Sequence, residues 1–408
     1  MNRVVVTGMG IVSPIGNDLD DFTKNLFASK NGISKITKFD ASETGVTVAG
    51  EVKDFDPLVR LDKKFAKRND LFCTYALYSA KEAMEISGLN EKNIQPEELG
   101  VIYGSGIGGL TTIQNQVIKM HDKGVKRVSP LFVPNSIINM AAGNISIAFN
   151  AKNTSQGIVT ACSSATNAIG NAYEYIKQGK AKALITGGTE ASVNEMGISG
   201  FASLTALSRE TDPNKASIPF DKDRNGFVLG EGAATIVLEE YEHAKERGAK
   251  ILAEIVGYGT TSDAYHMTSP DPKGDGAARA MSQAIAEADI DEKKIDYINA
   301  HGTSTAANDS AESKAINKVF PNNDHLKVSS IKGMTGHALG AAGAIEAVAS
   351  VLSIENNQMP VNVGLMNQDE DCDIELVNED NKNAEVNYVM SNSFGFGGHN
   401  AVIVFRGV

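Results

Sequence analysis

GIVTACSSATNAIGNAYEYIK, residues 157–177, is the stretch whose reading decides the fold. A short β-branched run ends in small residues, and a helical pattern of apolar positions begins directly behind a single cysteine. The same strand-then-turn pattern recurs at 3–7, at 99–104 (LGVIYG), at 157–161 and at 183–188 (ALITGG), with helical periodicity at 71–87 and 163–179. Strands alternating with amphipathic helices predict an α/β protein whose parallel or mixed sheet is covered by helices on both faces. A second cycle opens at ILAEIVGYG (251–259) and continues through a helix at 275–288, a strand at 295–300 and an Ala/Gly-rich helix at 338–353. It closes on two strands around a glycine hairpin at 388–405. The chain therefore reads as two similar halves, 1–248 and 249–408, that share one core.

With 408 residues, 42% of them apolar and 22% charged, the chain has core enough for two such halves. A formal net charge of −12 argues against broad attachment to nucleic acid or an anionic membrane, because both need a positive surface. The opening MNRVVVTGMGIVSPIG is broken by Gly and Pro too soon for a signal peptide or a membrane span. Cys73, Cys162 and Cys372 cannot all pair and show no CxxC spacing, which predicts neither a disulfide framework nor a zinc site and fits a reducing cytoplasm.

Cys162 lies between a strand and a helix, where unpaired N–H groups at the positive end of the helix dipole are expected to favour the thiolate. Cys73, inside DLFCTYALYSA, reads as core, and Cys372, inside DEDCDIE, as a surface residue. His301 in NAHGTST (299–305) and His337 in IKGMTGHALGAAGAIEA (331–347) occupy Gly-rich turns where two imidazoles can donate jointly to one oxygen. His121, His243 and His325 sit in polar or helical contexts and read as structural. One thiol, two imidazoles and a lysine point to acyl or carbon chemistry on thioesters. GSGIGG (104–109) satisfies a dinucleotide-binding pattern after a strand, but Asp122, about 20 residues on, follows no apolar strand.

Four segments in order, TACSSATNAIG (160–170), NAHGTST, IKGMTGHALGAAGA and SNSFGFGGHNA (391–401), resemble the signature segments of β-ketoacyl-acyl carrier protein synthases, condensing enzymes of the thiolase-like superfamily. VVVTGMGIVSPIG (4–16) and PFDKDRNGFVLGEGA (219–233) extend the likeness over nearly the whole chain, towards the synthase II branch of bacterial type II fatty acid synthesis. The resemblance implies a thiolase-like fold of two pseudo-symmetric halves with central mixed sheets. It also implies decarboxylative condensation of an acyl-enzyme with malonyl-acyl carrier protein. On it, Cys162 takes the acyl chain, the N–H groups of Cys162 and Phe396 form an oxyanion hole, and His301 and His337 hold the malonyl thioester carbonyl. Lys332 orients the histidines and pairs with Glu346; Thr303 and Thr305 bind the phosphopantetheine arm. Ile107 and Phe201 line the acyl pocket, and Phe396 guards it.

No cofactor is implied beyond the carrier's phosphopantetheine, and no catalytic metal, although family patterns put a structural monovalent cation near Asn299, Ala300, Glu346, Ser391 and Asn392. A thiolase would carry a second cysteine in the loop SFGFGGHN, and a non-catalytic chain-length partner would lack Cys162. Three positions depart from the family pattern: Ala306 stands for a proline, Gly333 for a serine and Ala165 for a glycine. The carrier is acidic, so Lys63, Lys64, Lys67 and Arg68, with Lys123, Lys126 and Arg127, are expected to flank the tunnel mouth and steer it. The family also implies a homodimer, for which the apolar segment 130–149 is either interface or core.

Overall fold

The computed structural model describes residues 1–321 and 325–408. Beside a short hairpin-like pair at Ser34–Lys35 and Val48–Ala49, its long sheet is built from β1 (Val4–Val12), β2 (Leu99–Gly104), β3 (Ser155–Ile158), β4 (Ala183–Glu190), β5 (Gly232–Glu240), β6 (Ala253–Ser262), β7 (Tyr297–Asn299), β8 (Lys327–Ser329), β9 (Tyr388–Gly395) and β10 (His399–Arg406). They form one sheet in the order β3-β2-β4-β5-β1-β6-β10-β9-β7-β8. β2 runs parallel to β3 and β4, and β7 runs parallel to β8 and β9; every other neighbour is antiparallel. The second half thus repeats the order and directions of the first, each strand five later in number. The resemblance implied two central sheets. They fuse into one because Val4, Val5 and Val6 pair with Ile255, Glu254 and Ala253.

The longer helices are α1 (Leu71–Ser87), α2 (Leu110–Lys123), α3 (Ser164–Lys177), α4 (Asp275–Ala288), α5 (Ala306–Val319) and α6 (Ala342–Asn356). The first strand of each half carries two glycines that face its outer helix. A Cβ at Gly10 would overlap the Ser79 carbonyl of α1, and one at Gly259 the Ala280 carbonyl of α4. The helices α3 and α6 lie inside, sharing an apolar cluster with strands of both halves through Ile169, Ile176, Ile345, Val348, Ile236 and Ile403. α6 is buried without a break from Ala342 to Ile354. Where it meets α3, a Cβ on Gly343 would overlap the Thr166 hydroxyl and lie 2.9 Å from Ser393 Oγ.

α1 and α4 occupy the predicted ranges, but three local expectations change. The strand read at 157–161 ends at Ile158, because Ala161 turns the chain with φ 53°. The helix read from 338 starts at Ala342, behind a separate tight turn at Leu339–Ala341. Cys372 is fully buried against the second half's apolar cluster while Glu370, Asp371 and Asp373 around it face outward, so an acidic neighbourhood gave the wrong sign for its own burial. Segment 130–149 is not simple core either: Ala141, Ala142 and Ile145 are buried, but Leu131, Val133, Ile137 and Ile147 are exposed. No helix among the described residues is long and apolar enough to cross a membrane.

Candidate active site

The turn after β3 is built from its own hydroxyls. Ser163 donates to the Thr160 carbonyl at 2.8 Å, and Ser164 accepts from the Thr160 N–H at 2.9 Å and donates to the Ala161 carbonyl at 2.6 Å. Holding Ala161 at positive φ costs roughly 1–2 kcal/mol, and the three bonds fix it there. Cys162 is thereby presented at the start of α3. The equivalent turn after β8 carries Lys332, then Gly336 with φ 67°, then His337, before α6 begins. β7 leads to His301, whose N–H and that of Gly302 both donate at 2.8 Å to Glu312 on α5.

These strand ends converge on a cavity of about 510 Å³ lined by Cys162, His301, His337, Thr303, Thr305 and Phe396, among others. The two imidazole rings lie 5.2 Å apart at 85°. Phe227 stands edge-on to His337 at 5.3 Å and Phe394 to His301 at 5.7 Å, which fixes both rings by packing. Neither Nδ1 has a protein partner. Burial, then the Lys332 charge, holds both imidazoles well below their ordinary pKa, and the His337 ring adds to the fall at His301. They are neutral.

Lys332, itself buried, donates to Glu346. Burial raises the Glu346 carboxyl and this ammonium opposes the rise. Glu312 is pushed up to about 7 by burial, against the N–H groups it accepts.

The backbone N–H groups of Phe396 and of Cys162 itself favour the ionised form of the Cys162 sulfur. Gly395 lets Phe396 approach it, since a Cβ there would lie 2.6 Å from the Thr160 carbonyl and 3.1 Å from the Cys162 nitrogen. The thiolate expected from the helix terminus is overturned. Burial pushes the thiol up to about 12, with Lys332 the main opposing influence and the Glu190 charge adding to the rise. Desolvation of a sulfur sealed from water outweighs the helix end and the lysine together.

The chain matches the family model for the β-ketoacyl synthase N-terminal domain over residues 1–244 and that for the C-terminal domain over 252–366. It belongs to the β-ketoacyl synthase family. A 3-oxoacyl-[acyl-carrier-protein] synthase 2 of Coxiella burnetii is 48% identical over 408 residues, covering 100% of this chain and 99% of the relative. Its counterpart in Staphylococcus aureus is 48% identical over 405 residues, covering 99% and 98%. A β-ketoacyl synthase structure from Burkholderia phymatum superposes with TM-score 0.91 at 35% identity, covering 100% of both chains. A type II polyketide ketosynthase, solved with its acyl-carrier protein and bound to the hexaketide, superposes with TM-score 0.92 at 32% identity, covering 100% of this chain and 99% of that one.

In this synthase the thiolase-like fold brings together most of the residues read from sequence. Thr303 and Thr305 line the cavity with their hydroxyls 2.9 Å apart, and Thr305 caps α5. Phe396 faces Phe201 at 6.5 Å, and Phe201 packs on Phe227 at 5.4 Å. Ile107 does not line this cavity; it belongs to the apolar cluster that also holds Cys162, Phe201 and Leu339. The seven basic residues are exposed, and none of them lines the cavity itself. Lys63 to Arg68 lie beside the start of α2, where Thr112 bonds Asp70, whereas Lys123, Lys126 and Arg127 lie at or beyond its far end. Fourteen helical residues put the groups about 20 Å apart.

Ala306 is the first residue of α5, a position that suits proline and alanine alike. A Cβ on Gly333 would lie 2.7 Å from the Val363 carbonyl. Phe227 and Glu312 were not singled out from sequence. Phe227 stands inside a quoted segment, but Glu312 reads there as one more charge on a polar helix.

The residues named for a cation pass one test of fit. Asn299 Oδ1, Glu346 Oε2, Ser391 Oγ and Asn392 Oδ1 are all buried without a protein partner. Hard oxygen donors with a carboxylate suit an alkali or other hard cation, and no group of three or more His, Cys, Asp or Glu among the described residues could hold a metal ion.

The neutral histidines tie stability to acidity. Each takes a proton near pH 6.5 when unfolded but only far below that when folded. The penalty is absent well above pH 6.5 and grows as pH falls through it, reaching about 1.4 kcal/mol per histidine at pH 5.5. A His301→Asn/His337→Asn variant should therefore lose less melting temperature than the unmodified protein between about pH 7.5 and 5.5; equal losses in thermal unfolding would rule this out.

Proposed function

We propose that the chain is a cytoplasmic 3-oxoacyl-acyl carrier protein synthase that extends fatty acyl chains by two carbons, working as a homodimer without a bound redox or organic cofactor. One observation carries this reading: a buried cysteine shares one cavity with Phe396 and with two imidazoles that burial keeps neutral. The Cys162 sulfur attacks the thioester carbonyl of acyl carrier protein. The Phe396 and Cys162 N–H groups bind the oxyanion, the carrier's sulfur leaves, and it takes the cysteine's proton. Malonyl carrier then enters, with Thr303 and Thr305 along its phosphopantetheine arm. His301 and His337 donate to its thioester carbonyl. Loss of the carboxylate as CO2 leaves an enolate whose carbon attacks the acyl-Cys162 carbonyl. The Cys162 sulfur departs as the thiolate and takes a proton from solvent.

Neutral rings suit the decarboxylation. A donor that keeps its proton stabilises the enolate oxygen without quenching the carbanion, whereas an imidazolium could protonate it. Lys332 maintains that neutrality through its field, and Glu346 offsets its charge. The carrier's acidic surface meets the exposed groups Lys63–Arg68 and Lys123–Arg127 as it docks.

The free edge of β3 supports the dimer. At the other end of the sheet the outer edge of β8 is covered, the Val328 N–H donating to Glu375 and its carbonyl accepting from Val377, both at 2.9 Å. β3 pairs only with β2, and near it Val133, Ile147 and Val159 are 59%, 78% and 53% exposed. An open edge beside exposed apolar side chains is covered by a second copy across a two-fold axis. The buried oxygens of Asn299, Glu346, Ser391 and Asn392 would hold a monovalent cation that stiffens the turn behind His301, without entering the reaction.

Three kinds of measurement test these readings. With acyl and malonyl carrier proteins, mass spectrometry should show the two-carbon-longer β-ketoacyl product, falling about a thousandfold or more in Cys162→Ala. In that assay, reversing Lys67, Arg68, Lys126 and Arg127 should raise the KM for carrier substrates severalfold and spare kcat; unchanged product in Cys162→Ala would end the condensing reading. Light scattering should give twice the chain mass, with Ile147→Asp shifting it towards one; a monomeric unmodified protein refutes the dimer. Replacing potassium by a bulky quaternary ammonium ion should lower the melting temperature, and identical curves would remove the cation.

A further inference from the structure

GSGIGG is the one motif the condensation leaves unused, and in the structure its anion is internal. Glu190, the last residue of β4, is fully buried. Its Oε2 accepts the N–H groups of Gly106 at 2.8 Å and Gly340 at 3.0 Å. Its Oε1 accepts those of Ile107 at 3.1 Å and Gly108 at 3.3 Å, with the Ser105 and Ser192 hydroxyls each at 3.4 Å. Backbone N–H groups gathered on an anion are what such loops offer a phosphate, but here a carboxylate of the same chain fills the place. A Cβ on Gly106 would lie 2.8 Å from Oε2, and one on Gly340 would overlap the Gly106 nitrogen, so nothing further fits between them.

The bonds do more than fill a loop. They tie residues 105–108 of the first half to the turn Leu339–Ala341 of the second, across the site. Ile107 projects from the first of these segments and Leu339 from the other, and both join Cys162 in one apolar cluster. We infer that Glu190 is a positioning residue for acyl-chain selection: by hanging the Ile107 loop and the Leu339 turn from one carboxylate, it sets the shape of the apolar pocket beside Cys162. This rests on the reading of Cys162 as the acyl acceptor and of Ile107 as part of its pocket. The histidine side of the cavity is held separately, by Glu312 behind His301 and by Glu346 at Lys332.

Glu190→Gln keeps the size of the side chain but turns an amide N–H2 towards N–H groups that need an acceptor. The test measures transfer of short and long acyl chains from acyl carrier protein to Cys162, by intact-protein mass spectrometry. It uses the unmodified protein, Glu190→Gln, Ile107→Ala and the double variant, with decarboxylation of malonyl carrier followed in parallel. Glu190→Gln should change the ratio of long-chain to short-chain transfer about tenfold, leave decarboxylation within about twofold, and add little once Ile107 is alanine. An unchanged ratio, or an equal fall in transfer at every length and in decarboxylation, overturns the assignment. A shifted profile in Ile107→Ala with none in Glu190→Gln overturns Glu190 alone; the reverse pattern overturns the Ile107 pocket and the inference with it. If Glu190→Gln does not fold, Ser192→Ala removes one donor to the same oxygen and should move the ratio the same way by a smaller factor, and no movement there counts against the proposal.

Discussion

The close packing of α3 on α6 is the constraint on which the rest of the site depends. Gly343 meets Thr166, Thr166 Oγ1 and Ser393 Oγ share a hydrogen bond of 2.7 Å, and a Cβ on Gly104 would lie 2.6 Å from the Ser164 carbonyl. Small residues let the two helix starts approach until their strand-end turns touch. One of those turns presents the thiol and the other the lysine and an imidazole. A bulkier residue at the contact would separate nucleophile from donors, and an ångström of displacement can cost about a hundredfold in rate. Ala165, the departure from the family's glycine, sits at this contact, and its methyl occupies the space a side chain on Gly188 would need, 2.5 Å away.

Closing the site so tightly also buries its titratable groups, and burial sets their charge states. The cavity holds a neutral thiol and two neutral imidazoles because burial among protein atoms disfavours their ions. The one permanent cation facing them, Lys332, is tolerated because Glu346 neutralises it; removing either partner would leave a buried charge costing about 3–5 kcal/mol. The pair is thus a device for keeping a positive field without a positive net charge. The same burial that raises the thiol's pKa also lowers its reactivity towards adventitious oxidants and electrophiles.

Much of this was legible because chemistry and turn geometry coincide in the sequence. Cys162, His301 and His337 stand in segments where glycines and small hydroxyl residues mark strand ends, and the internal repetition of strands announces the architecture. What local reading missed is set by distance along the chain. Glu312 and Glu190 look like ordinary acids until α5 and β4 carry them beneath backbone N–H groups from other segments. Cys372 shows the converse, since a run of acids reads as surface although the turn they form, closed by the Cys372 N–H on the Asp369 carbonyl, aims the cysteine alone at the core. The sign of the Cys162 pKa failed for a third reason: a helix dipole is a local property, whereas desolvation belongs to the whole fold.

The pairing of Val4–Val12 with Gly232–Glu240, and of Val4–Val6 with Ala253–Ile255, makes the first strand synthesised the middle of the sheet. Its partners lie more than two hundred residues downstream. At ribosomal speeds of about 5–20 residues per second, VVVTGMGIV waits roughly 10–50 s before either neighbour exists. During that interval an uncharged β-prone segment is exposed without a ladder to join, and the first half cannot close on its own schedule. The strand is therefore still without a neighbour when Cys162 is made, whereas His301, Lys332 and His337 follow only after both of its partners exist.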